Sequence, residues 1–199
     1  MVETAFLSSV RKLLTGSPGG ILLAVSGGVD SMVMANLFVK WMGMEQGERM
    51  SRQVAVAHMN FSLRGTESDR DQQFVKDWAG KHGLPFYTKK VSASDYAGKK
   101  GISIEMAARE IRYDWFGTLC REHDLSYIAI GHNANDRAET ILLNLIRGTG
   151  LKGLCSMREQ NGNVIRPLLE VPRSLIVEYA RSNDIAYCED STNLETEFA

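Results

Sequence analysis

The hexapeptide Ser26-Gly27-Gly28-Val29-Asp30-Ser31 constrains this chain more than any other stretch. Before it, Ile21-Leu22-Leu23-Ala24-Val25 is an apolar run bounded by Gly19-Gly20, which predicts a buried strand. After it, Met32 to Val39 predicts a mostly buried helix. A strand that turns through glycines into a helix leaves unpaired backbone N–H groups at the helix start. Those donors, together with the helix dipole, make an anion site. Gly27 and Gly28 allow close backbone approach and positive φ, and the hydroxyls of Ser26 and Ser31 add donors. Asp30 repels a phosphate unless a cation bridges the two, which points to Mg²⁺. The same residue types also suit a plain helix-capping turn, so the loop alone leaves both readings open. It is not a Walker loop, since no Gly-Lys-Ser/Thr follows, nor a dinucleotide Gly-x-Gly-x-x-Gly.

Strand and helix patterns alternate along the rest of the chain. Met1 to Leu14 predicts a short amphipathic helix, and Gly43 to Arg52 a polar loop. Val54 to His58 is the second strand; the next helix starts near Thr66 or Ser68, carries Phe74, Val75, Trp78 and Ala79 inward, and ends at Gly83. Pro85 to Val91 is the third strand, and Ser92 to Gly101 a polar loop. Ser103 caps a long helix whose buried stripe is Ile104, Ala107, Ala108, Ile111, Trp115 and Leu119. Ser126 to Gly131 is the fourth strand, followed by a helix from Asp136 to Arg147 with Ile141, Leu142, Leu145 and Ile146 inward. After the glycine-rich loop from Gly148 to Gly153, Asn161-Gly162 marks a hairpin-type turn before Val164-Ile165-Arg166. A last helix runs from Pro172 through Ala180, and Ile185 to Cys188 is the fifth strand. The alternation predicts an α/β fold, a doubly wound parallel sheet of about five strands.

The 199 residues suit one domain, 1–199 with a core of about 19–190. The polar run Glu189 to Asn193 breaks off in mid-pattern, as in a chain cut from a longer protein. No apolar run approaches the roughly 18 to 20 residues of a membrane span. Cys120, Cys155 and Cys188 are widely spaced, which argues against a zinc site or disulfide framework and for a reducing, cytoplasmic setting. A net charge of −1 is not that of a dedicated nucleic-acid binder, so such contact requires a local patch.

Ligands of such sheets bind at the carboxyl ends of the strands, near the switch in strand order. Four loops converge there: the glycine loop, His58 to Arg64, Ser92 to Glu105, and Gly131 to Asp136. Asp30 and Asp136, both at strand-to-helix junctions, can share one Mg²⁺ through phosphate oxygens, although Asp136 also suits a helix N-terminal carboxylate. His132 is either a site group or a loop histidine bonded to backbone. Arg109 lies one turn from Glu105, so it is either half of a surface ion pair or a bidentate phosphate ligand. Arg147, Lys152, Arg158, Arg166, Arg173 and Arg181 form either a solvated face or a nucleic-acid phosphate patch.

The hexapeptide resembles the pyrophosphate loop of the ATP pyrophosphatases that activate a substrate with AMP. The likeness extends further. His58-Met59-Asn60-Phe61-Ser62-Leu63-Arg64-Gly65, Glu105 to Tyr113, Gly131 to Thr140, Leu143 to Leu154, Arg166-Pro167-Leu168-Leu169 and Glu189 to Asn193 resemble successive motifs of the tRNA(Ile)-lysidine synthase family, roughly over residues 19 to 195. That family usually has His where Phe61 stands and Asp where Asn135 stands, which leaves Asp136 as the carboxylate after the fourth strand. The resemblance implies a Rossmann-like domain of the adenine nucleotide alpha hydrolase type, preceding tRNA-reading domains. It implies ATP and Mg²⁺ as cofactors, held by Ser26, Gly27, Gly28, Val29, Asp30, Ser31 and His58, with Asp30 and Asp136 on the metal. Asp30, Arg109, His132 and Asp136 would be the catalytic set, with His132 as base or orienting group. The implied substrates are free L-lysine and a tRNA(Ile) with a CAU anticodon, whose cytidine 34 is adenylated at its C2 oxygen and then attacked by the lysine amine. Thiolation by a related enzyme and a non-catalytic ATP-binding module are the alternatives, and a homodimer is left open.

Overall fold

The computed structural model describes residues 1–15, 18–44, 52–63, 65–148 and 157–189. The elements are α1 (Val2–Leu13), β1 (Gly20–Ala24), α2 (Val29–Met44), β2 (Val54–Asn60), α3 (Thr66–Lys81), β3 (Phe86–Lys90), α4 (Ala93–Lys100), α5 (Ile104–Glu122), β4 (Leu125–Ile130), α6 (Ala134–Ile146), β5 (Gln160–Asn161), β6 (Val164–Ile165) and α7 (Arg173–Ser182). One six-stranded sheet runs in the order β3-β2-β1-β4-β6-β5. All neighbours are parallel except the short β5–β6 hairpin at the edge.

Period-two alternation in a sheet covered on both faces sorts the strand residues into two cores. Ile21, Leu23, Val54, Val56, Tyr127 and Ala129 point to one face, where Phe6, Phe38 and Ile176 pack from α1, α2 and α7, and Val75 and Ala79 from α3. Leu22, Ala55, Ala57 and Ile128 point to the other, against Phe116, Leu119 and Cys120 of α5. Helix α2 is buried along most of its length, as its unbroken apolar run requires. Gly83 has φ +65° just beyond α3, and the Ser103 hydroxyl accepts from the Met106 N–H at the start of α5.

Four expectations are corrected. Residues 93–100 form helix α4 rather than a loop: the Ser92 hydroxyl accepts from the Asp95 N–H, Gly101 closes the helix in the left-handed region, and Ala93 and Ala97 are buried. Polar composition concealed a well-capped short helix. Ile185 to Cys188 is not a strand, because the edge beside β4 is taken by the hairpin turning at Gly162. On that side the sheet therefore ends in β6 and β5, which makes six strands against about five expected. Ile104 is exposed, while Phe116 takes a core place that the predicted stripe assigned to its half-buried neighbour Trp115. Helix α6 buries none of its residues, and Leu142, Leu145 and Ile146 are 59%, 55% and 82% exposed. Helical spacing defines an apolar stripe but not what covers it; among the described residues α6 is anchored through its first turn. The loop from Thr149 to Gly153, including Lys152, lies outside the described residues, as do Arg64, Cys155 and the run from Asp190.

Candidate active site

Strand order reverses between β1 and β4, and at their carboxyl ends lies a cleft of about 430 Å³. Ser26, Gly28, Asp30, Ser31, His58, Arg109, His132 and Asp136 all line it. Gly27 and Val29 stand behind it. Gly27, at φ +101°, backs onto Cys188 and Val75, and the Val29 side chain is in the core.

Hydrogen bonds inside the glycine loop centre on Ser31. Its hydroxyl accepts from the N–H groups of Ser26 and Gly27 at 3.2 and 3.3 Å and donates to the Gly28 carbonyl at 2.9 Å. That hydroxyl proton is therefore spent on shaping the loop. The first turn of α2 leaves the backbone N–H groups that face an anion. Gly131, where β4 ends, lies so close to this turn that an added Cβ would sit 3.0 Å from the Asp30 carbonyl and the Ser31 Cα.

Asp30 and Asp136 are joined through Asn133, the buried N-cap of α6. The Asn133 amide donates to Asp30 Oδ1 at 3.0 Å, and its backbone N–H donates to Asp136 Oδ2 at 2.8 Å. The second of these bonds belongs to a capping box, so Asp136 does cap its helix, and it also lines the cleft. Burial pushes the Asp30 carboxyl above its usual range, the nearby Asp136 adds to this, and Asn133 and Arg173 oppose it. Two carboxylates of which one is held out of water fit a divalent cation, and the donor set suits Mg²⁺ completed by phosphate oxygens and water. Among the described residues no group of three or more acidic, histidine or cysteine side chains forms a closed metal cage. Asn135 turns away from the cleft, its Oδ1 accepting from the Arg173 N–H at the start of α7. Position 135 therefore has no part in the carboxylate pair.

The two histidines are fixed differently. His58, in the carboxyl-terminal half of β2, is 4% exposed, and its Nδ1 contacts the Val25 carbonyl at 2.9 Å. A carbonyl only accepts, so Nδ1 carries the proton and Nε2 is an acceptor. His132 contacts Arg166, whose Nε donates to His132 Nδ1 at 3.0 Å. Burial lowers both imidazoles, and burial with Arg166 beside it takes His132 to about 4.

Helix α5 presents Arg109 and Arg112 to the cleft, their guanidiniums 5.0 and 5.3 Å from the rings of Tyr113 and Phe61. The structure gives no ion pair between Arg109 and Glu105. The sequence offers Arg166 as part of a solvated face or a phosphate patch, yet it is 6% exposed. Its setting between Val164-Ile165 and Pro167-Leu168-Leu169 was the available signal, because a lone arginine within an apolar run is buried with it. Asn133 was legible in a similar way, three residues before Asp136 as in a capping box.

Comparison with known proteins agrees with this geometry. A family model for the ATP-binding PP-loop domain matches residues 2–199. A tRNA(Ile)-lysidine synthase of Chlorobaculum tepidum is 40% identical over 197 residues, covering 98% of this chain and 58% of that protein. One from Persephonella marina is 40% identical over 199 residues, covering 100% of this chain and 43% of that protein. The chain thus spans about half the length of the curated relatives it matches. Among solved structures, the U34-tRNA thiolase NcsA from Methanococcus maripaludis with its [4Fe-4S] cluster has a TM-score of 0.73 at 20% identity, covering 94% of this chain and 64% of that one. An NH3-dependent NAD synthetase from Campylobacter jejuni has a TM-score of 0.60 at 15% identity, covering 92% and 72%. These two likenesses concern the fold alone. With a glycine loop entering a buried helix at the switch point of a parallel sheet, and a family match along nearly its full length, the chain belongs to the PP-loop domain family.

Proposed function

We propose that this chain is the catalytic domain of a tRNA(Ile)-lysidine synthase, which uses ATP to join lysine to C2 of cytidine 34 in a CAU anticodon. The observation that carries the reading is the convergence of the glycine loop, Asp30 and Asp136, Arg109 and Arg112, and the neutral His132 in one cleft, in a chain about 40% identical to such enzymes. In the first step the cytidine C2 oxygen bonds to the α-phosphorus of ATP and pyrophosphate leaves. In the second the lysine ε-amine bonds to C2, the C2–O bond breaks, AMP leaves with the oxygen, and the nitrogen loses a proton. The nucleophiles come from the substrates, so no catalytic Ser or Cys is required.

Each part of the cleft has a task in this scheme. The N–H groups at the start of α2 face the pyrophosphate. Asp30 and Asp136 would hold Mg²⁺, which when bound offsets the phosphate charge and draws the oxygens into place. Arg109 and Arg112 reach the same space from α5 with planar, bidentate donors. The two described cysteines weigh against thiolation: Cys120 is buried on the inner face of α5, and Cys188 packs behind Gly27.

The test is incubation of the whole protein with tRNA(Ile), ATP and labelled lysine. Lysine-dependent label in the tRNA with matching pyrophosphate release supports the reading. Pyrophosphate release with no lysine entering the tRNA counts against lysidine formation, and none at all points to an ATP-binding module. The isolated 199-residue chain is expected to bind ATP with Mg²⁺ but to modify tRNA poorly, because its net charge is −1 and its relatives are about twice its length.

A further inference from the structure

We propose that Arg166 is a positioning residue that locks His132 in its Nε2–H tautomer, so that His132 serves the reaction as a neutral hydrogen-bond donor and not as a general base. The proposal rests on the reading above for the identity of the reaction, but its structural core does not.

Arg166 follows β6, which pairs with β4, and His132 follows β4, so the sheet brings the two side chains together from adjacent strand ends. The guanidinium is fixed at two points: Nε donates to His132 Nδ1 at 3.0 Å and Nη1 donates to the Arg158 carbonyl at 2.9 Å. Its backbone N–H is held in turn by the Glu159 carbonyl at 2.8 Å. A guanidinium has protons to give and no lone pair to offer. His132 Nδ1 must therefore present its lone pair, and the single proton of a neutral ring sits on Nε2. Nε2 is the nitrogen left for a ligand in the cleft that His132 lines.

A second proton would have to enter on Nδ1, directly opposing the Arg166 N–H. The charged groups acting on the ring come from three elements besides its own strand. Arg166 beyond β6 and Arg109 and Arg112 on α5 disfavour the cation, while Asp136 on α6 favours it. Burial and the three arginines prevail, in keeping with a value of about 4. A lysine ammonium has an ordinary pKa near 10.4, so such an imidazole is a poor acceptor for its proton. A neutral N–H held in a partly buried cleft is instead suited to an oxygen on which negative charge grows, as at a phosphate whose bond is breaking. The lone basic side chain of the apolar stretch 164–169 is thus not a surface charge but the fixed donor that sets the chemistry of a neighbouring ring.

The proposal is tested on ¹⁵N-labelled protein by long-range ¹H–¹⁵N correlation of the histidine rings, which separates the two tautomers and the cation. The expected wild-type result is a bare Nδ1 and a protonated Nε2 on His132, unchanged from pH 8 to pH 5. A His132 that titrates near its ordinary 6.5, or carries its proton on Nδ1, would overturn the assignment. Arg166→Met removes the donor and should move the titration up towards 6.5, and Arg166→Lys should restore part of the lock. No movement in Arg166→Met, with a preserved spectrum elsewhere, also counts against it. These measurements need no tRNA, so they stand apart from failure of the lysidine reading. In turnover, His132→Ala should lose on the order of 10²-fold in kcat with little change in KM for ATP. His132→Gln retains a donor and cannot act as a base, so it should recover part of that loss. Equal losses in the two variants, or a rate limb following a His132 titration between pH 5.5 and 8, would favour the base.

Discussion

Asp30 is held in the cleft against its own preference. Its carboxyl is raised above the unfolded value of 3.8 because burial disfavours the charge. A group with a raised folded pKa contributes stability that is complete below the unfolded value and lost as pH rises through the folded one. At neutral pH the ionised Asp30 therefore opposes folding. Asp30→Asn should raise the metal-free Tm at pH 7 and abolish ATP turnover, as calorimetry and pyrophosphate release would show; unimpaired turnover would remove it from the metal site. Arg109 offers the complementary case. It is exposed, contacts Tyr113 and makes no pair with Glu105, so Arg109→Ala should cost at most about 1 kcal/mol of stability. If it grips the phosphates in the transition state, the same change should cost on the order of 10²-fold in kcat. Arg109→Lys should recover part of the rate, and Glu105→Gln should leave it unchanged. The sequence puts Asp30 and Arg109 at the cleft, because strand-to-helix junctions and helix faces follow from local pattern. It misplaced Arg166, whose role depends on a ring brought beside it by β-pairing, a relation that no local pattern carries.

At the scale of elements, the contact that most constrains the site is between β4 and α2. Gly131 has no side chain, and a methyl there would press at 3.0 Å on backbone of the α2 first turn. Gly131→Ala should therefore shift the turn that presents the loop donors, weakening ATP binding by tenfold or more, about 1.4 kcal/mol, at a smaller cost in Tm. Titration with ATP and Mg²⁺ checks this, and wild-type affinity in the variant would show that the turn can yield. The strands were legible because each is an apolar run between turn residues. Helix α4 was not, since its polar surface resembles a loop and only its caps reveal it. The exposed stripe of α6 was legible as a stripe and misread as core, because periodicity is silent on what lies opposite.

For the whole molecule, the buried imidazoles set the response to acid. His58 and His132 are both lowered by burial, so their folded values lie below the ordinary 6.5. Their stabilisation is complete above the unfolded value and is lost as pH falls through the folded values, because the unfolded chain then binds more protons. Each unit of difference amounts to about 1.4 kcal/mol. The urea midpoint should accordingly fall between pH 7.5 and pH 5, and His58→Gln should flatten that fall. In Asp30→Asn the fall should steepen, because the wild-type carboxyl regains stability as it protonates. A midpoint that does not move over this range would contradict the buried, neutral state of both rings.

The packing of Gly27 against Cys188, behind the glycine loop, bears on the order in which the chain is made. The carbonyl of Gly27, in the middle of the glycine loop, accepts from the N–H of Cys188 at 2.9 Å, almost at the other end of the described chain. A ribosome delivers Gly27 early and Cys188 only after all the strands and helices described above. Until Cys188 has left the exit tunnel, the back of the loop lacks its partner and Gly27 lacks the packing of the cysteine sulfur. A nascent chain can thus assemble β1, α2 and β2 while the glycine loop still lacks its backing, which arrives only once Cys188 has emerged.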